Sequence, residues 1–177
     1  MAVMTGAGFQ KAAGEMLARV PHLLCFIRQE MDSLADTGGD CRDALHVELA
    51  LFSIYAAAYG AAVCLEGEST GPAGEFAREY REQVMQALAR EGAGIAIRKE
   101  EMQVRDFFYG RLSGRYPKTH FFVTQSVGFM AEQALGRGQD PARLRPAISA
   151  LGRAAFFIFR QCMDTFGCGG TGGAMSF

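Results

Sequence analysis

From Leu49 to Leu65 the chain carries no charged side chain, and within Ala44 to Leu65 (ALHVELALFSIYAAAYGAAVCL) apolar residues fall on every side of a 3.6-residue period. A helix that is apolar all round must be enclosed, by other protein elements or by lipid. As a helix the uncharged run spans about 25 Å, short of the roughly 30 Å of a hydrocarbon core. It is rich in alanine rather than leucine, and Glu48 and Glu66 bound it with no cluster of Lys or Arg on either side. This reads as a buried core helix, and no membrane span is expected.

Two faces of that helix are legible. Ala56, Gly60 and Cys64 are four apart, as are Ala57 and Ala61, and small residues at this spacing let a second helix approach closely. Glu48, Phe52, Tyr55 and Tyr59 form the other stripe, one carboxylate and two phenols in line. Such a stripe either lines a polar pocket between helices or packs as core aromatics whose hydroxyls find a partner.

The other segments read as amphipathic helices that cover the central one. Ala13, Leu17, Val20, Leu24, Ile27, Met31 and Leu34 alternate spacings of four and three. Because this seam stays in phase across Pro21, one kinked helix is expected there rather than two independent ones. Ala35 to Gly39 is a turn, and Asp40 fits a helix cap. A third helix is expected over about Pro72 to Arg90, burying Phe76, Tyr80, Val84, Ala87 and Leu88. A fourth is expected from about Ile95 to Leu112, burying Ile97, Val104, Phe108 and Leu112, and a fifth to about Leu135. For a sixth, with Ile148, Leu151, Ala155, Ile158 and Cys162 on one face and running to about Phe166, Asp140 fits a cap with Pro141 in the first turn, but Pro146 is a second interruption and a proper start only there is expected. The glycine-rich tail, 167–177, cannot hold a regular element by itself.

The 177 residues suit one domain, and 49 % apolar with 21 % charged residues is a globular composition. The reading is therefore all-α: a single helical domain over residues 1–166, five to seven helices around a buried central helix at about 44–65, followed by the tail. Five cysteines without a C-x-x-C pair, and no secretory signal at the N-terminus, point to reduced thiols and a cytoplasmic location. A net charge of −1 gives no general case for nucleic acid. Charge is uneven, with nine basic and four acidic side chains in 102–177. Within it Arg105, Arg111, Arg115 and Lys118, interleaved with aromatics, form a candidate anion- or partner-binding surface.

Chemistry-bearing motifs are sparse. His22, His46 and His120 lie on three different helical segments without the paired spacing of a zinc site, and no Glu-x-x-His pair of a di-iron bundle occurs. No P-loop and no G-x-S-x-G is present. Glu79 and Glu82 match half of the paired acidic motif of all-helical nucleotide pyrophosphatases, but Glu101 and Asp106 are spaced wrongly for the other half. Two functions follow. The first is a non-catalytic interaction or regulatory protein that associates with itself or with a protein partner. The second is a helical binder of a small apolar ligand or a haem-like cofactor, with enzymatic activity left open. That binder would use Glu48, Tyr55 and Tyr59 with His22 or His46 nearby.

Overall fold

A computed structural model describes residues 6–34, 39–65, 71–91, 97–115, 119–136 and 141–167. These form seven helices and no strand: α1 (Gly6–Ala18), α2 (Val20–Asp32), α3 (Gly39–Cys64), α4 (Gly71–Arg90), α5 (Lys99–Arg115), α6 (Thr119–Leu135) and α7 (Pro141–Thr165). The protein is an all-α, single-domain bundle organised around α3, which packs against α2, α4, α6 and α7. By length and composition α3 could cross a membrane, yet 78 % of its most apolar window is buried among the other helices. Enclosure on every side is what an all-round apolar helix requires, and the bundle supplies it.

The small-residue face of α3 meets α7. A Cβ placed on Gly60 would lie 3.2 Å from Cδ2 of Phe166 and 3.4 Å from the carbonyl oxygen of Cys162. Only glycine lets the two helices come this close. The aromatic face packs towards α5, α6 and α7: Tyr59 sits 5.0 Å from Phe122 and 5.7 Å from Phe159, ring centre to centre. A second aromatic cluster, Phe9 with Phe76 and Phe166, fixes α1 onto α4 and the end of α7. Gly167 (φ 72°) ends α7 in the left-handed conformation that glycine adopts without strain.

Three expectations are corrected. The first two helices are separate, divided at Arg19 rather than bent at Pro21. Arg19 keeps helical angles (φ −86°, ψ −9°), and its N–H is shared between the carbonyls of Glu15 and Met16 at 3.2 Å each. Pro21 then falls in the first turn of α2, where a missing donor costs little. The seam itself is buried, with Ala13, Val20, Leu24, Ile27 and Met31 all in the core. Next, α7 passes straight through Pro146 and begins at Pro141, and Ile148 is 40 % exposed. Lastly, the inward stripe of α5 is only in part the expected one: Leu112 is buried and Ile97 and Phe108 pack partly buried against the core, but Val104 does not. Met102, Arg105, Tyr109 and Leu112 face inward, whereas Val104 is 51 % exposed. The glycine-rich tail beyond Gly167 lies outside the described residues.

Adding a branched side chain where α3 and α7 touch must push them apart. Gly60→Val is expected to lower stability by about 1–3 kcal/mol, read as a shifted urea midpoint with unchanged slope. Gly128→Ala, at a position with nothing within 4 Å of its Cβ site, should cause no such loss.

Candidate functional site

The polar stripe of α3 acquires its partners from α4 and α5. Glu48 is buried, and Arg105 of α5 meets it with both arms of the guanidinium: Nη2 donates to Oε1 and Nε donates to Oε2 at 3.2 Å. The remaining arm, Nη1, donates to the Glu101 carbonyl at 2.8 Å. Burial raises the carboxyl of Glu48 above its ordinary range, and the Arg105 guanidinium works against that rise. For Arg105 burial works against the charge, and Glu48 more than restores it. Two turns along α3, the Tyr55 hydroxyl donates to Asp106 Oδ1 at 2.7 Å, and Arg81 of α4 donates to both oxygens of the same carboxylate at 3.1 and 3.3 Å. Burial, then the Asp106 carboxylate, holds the Tyr55 phenol well above its usual range. The Tyr55 ring stacks on Tyr109 with centroids 4.1 Å apart.

The candidate ligand residues are thus divided among three places. Glu48, Tyr55 and Tyr59 share one face of α3, and each is engaged by neighbouring side chains. His46 lies away from that face, fully buried, with Nε2 3.0 Å from Glu91 Oε2. Arg28 stands 3.5 Å from the same Glu91 oxygen and donates to Asp43 at 2.6 Å, so α2, α3 and the end of α4 are tied together. Burial, reinforced by Arg28, lowers the pKa of His46. The neutral ring donates from Nε2 to Glu91, and Nδ1 has no hydrogen-bond partner among the described residues.

His22 is in the third place, at the mouth of an apolar groove of about 240 Å³ between α1–α2, α4 and α7. Leu23, Phe26, Phe157 and Ile158 form its walls, with Arg19 and Gln161 beside His22. Tyr80 and Cys162 lie at its buried base. Burial holds the Tyr80 phenol well above its usual range, and Ser53 beside it, which donates to the Ala50 carbonyl, works against that rise. Complete burial pushes the Cys162 thiol up to about 12, so it is not a nucleophile at neutral pH.

Of the candidate basic surface, Arg105 is only 6 % exposed and belongs to the core pair with Glu48. Arg111 is on the surface, its guanidinium carbon 5.4 Å from the centre of the Phe107 ring. Arg115 closes α5, and Lys118 lies outside the described residues. Among the described residues, no three His, Cys, Asp or Glu side chains gather as a metal-binding set. Sequence reasoning missed the groove position of Tyr80, the place of Glu91 and the inward role of Arg105. Only the last left a signal: Arg105 falls between Met102 and Tyr109 at spacings of three and four. No family model, curated protein or solved structure matches the chain.

The charges inside the bundle generate two expected outcomes. Removing one partner of a buried pair strands the other, so Glu48→Leu or Arg105→Met alone should each cost about 3–5 kcal/mol in chemical denaturation. The double variant Glu48→Leu/Arg105→Met should recover most of that loss, because no uncompensated charge then remains. The second outcome concerns His46, whose folded pKa lies below its unfolded value. Its contribution is fully present above about pH 6.5 and is lost as pH falls from there through the folded pKa. Denaturation midpoints measured between pH 7.5 and about pH 5 should therefore drop more in the native chain than in His46→Phe.

Proposed function

We propose that the chain is a non-catalytic helical protein that works by binding polypeptide surfaces, in the first place a second copy of itself. The observation that carries this reading is the outer side of α5. Phe107 is 66 % exposed and Val104 51 %, two large apolar side chains one helical turn apart on a helix at the edge of the bundle. A scattered exposed apolar residue is ordinary, but neighbours aligned on one outward stripe are the usual mark of a contact surface. The titratable groups inside the bundle support the same reading. Glu48, Arg105, Tyr55 and His46 each hold a partner on another helix, which is a structural use of polar groups. A cytoplasmic location fits the free thiols of Cys25, Cys41, Cys64 and Cys162.

A second reading, a binder of a small apolar ligand, is favoured by the groove at His22. It combines an apolar lining with the polar side chains of His22, Arg19 and Gln161. Its volume exceeds the roughly 150 Å³ that suffices for a benzene-sized guest. On this reading the ligand would sit by His22 rather than beside Glu48, Tyr55 and Tyr59. One experiment separates the two: native mass spectrometry of the freshly purified chain, with sedimentation velocity over a wide concentration range. Self-association predicts a dimer whose fraction rises with concentration and no added mass. A monomer at every concentration would sink it, and a discrete added mass on that monomer would favour the groove.

A further inference from the structure

We infer that α5 pairs with α5 of a second copy, antiparallel and across a two-fold axis, with Glu100 of each chain meeting Arg111 of the other. This rests on the self-association reading and gives it a register. The outward stripe of α5 is Glu100, Val104, Phe107 and Arg111, at spacings of four, three and four. That is the seam spacing of two helices that pack along their length. The order along the stripe is acid, apolar, apolar, base. A two-fold axis passing between positions 105 and 106 carries 104 onto 107 and 100 onto 111. One register therefore satisfies both contacts: Val104 lies opposite Phe107 of the second copy, and Glu100 lies opposite its Arg111. A surface that docks on its own copy about a two-fold axis must be self-complementary in this way. A parallel arrangement would set Glu100 against Glu100 and Arg111 against Arg111.

The side chains are free to make these contacts. Neither Glu100 nor Arg111 has an oppositely charged partner among the described residues. Arg111 is already held over the stripe by the face of the Phe107 ring. Gly110, flanking the stripe inside α5, has nothing of its own chain within 4 Å of its Cβ position, so a second helix can approach there. The inner side of α5 cannot serve instead, because Arg105 and Tyr109 are committed to α3. Asp106, the other acid near the axis, is committed to Tyr55 and Arg81. A contact between two helices of this length is smaller than a standard interface, which predicts a weak dimer that dissociates on dilution.

The test is a charge exchange on the full chain, read by sedimentation equilibrium at low salt, with circular dichroism to verify folding. Glu100→Arg and Arg111→Glu each set like charges together twice in the homodimer, so each should weaken dimerisation about tenfold or more. In a heterodimer of the two variants, each of the two contacts again joins one acid to one base: the substituted positions meet at one, and native Arg111 meets native Glu100 at the other. The mixture should then form a heterodimer about as tight as the native dimer. If the native chain dimerises but the mixture does not recover, this register is overturned while self-association stands. If the native chain stays monomeric at all concentrations, both fall.

Discussion

Arg105 and Glu48 form an ion pair with both partners buried, and the orientation of α5 follows from it. A guanidinium cannot be neutralised near neutral pH, so it enters a bundle only where a carboxylate and spare acceptors await it. Glu48 and the Glu101 carbonyl meet that demand. With Arg105 turned inward, Met102 and Tyr109 follow it into the core, and Val104 and Phe107 face out. A polar contact inside the protein thereby decides which apolar residues the protein shows to its surroundings.

The pair is also costly in itself, since desolvating two ions offsets much of their attraction. What it supplies is specificity of orientation. An α5 with only apolar inward residues could settle in neighbouring rotations with little loss. A guanidinium with three arms, two on one carboxylate and one on a carbonyl, has a single satisfying position. Tyr55, Asp106 and Arg81 act in the same sense two turns further along α3, and tie α4 into the arrangement.

Much of the architecture is legible in the chain itself. The all-round apolar character of α3 requires enclosure, and the four-three spacing of Ala13 to Met31 marks a buried seam, because both are consequences of a local period. The Gly60 face is legible for the same reason, as small residues four apart signal close approach whatever the partner is. The misreadings have different physical origins. Arg105 reads as a surface residue because an arginine is usually solvated, and its carboxylate partner is 57 residues away in sequence. Tyr55 finds Asp106 across 51 residues, a separation on which periodicity is silent. Pro146 reads as a start because proline disfavours helix interiors, but near the beginning of a 25-residue helix the rest of its packing outweighs one lost bond. The groove is invisible in the sequence because it is built from α1, α2, α4 and α7 together.

The single residue between α1 and α2 divides the bundle mechanically. Below it, α2 is clamped to α3 and to the end of α4 through Arg28, Asp43 and Glu91. Above it, α1 rests on α4 and α7 mainly through Phe9 and its two aromatic neighbours. Between them, the Arg19 N–H is shared by the Glu15 and Met16 carbonyls, the Leu23 N–H donates to the Arg19 carbonyl at 2.9 Å, and Pro21 supplies no donor. The Arg19 side chain also donates to Thr165 at 3.3 Å, so the joint is fastened to the end of α7. Met16 and His22 stand on opposite sides of this joint and share one wall of the groove. Because Arg19 lines the groove and is itself held to Thr165, the joint between the first two helices sets where that wall stands relative to α7.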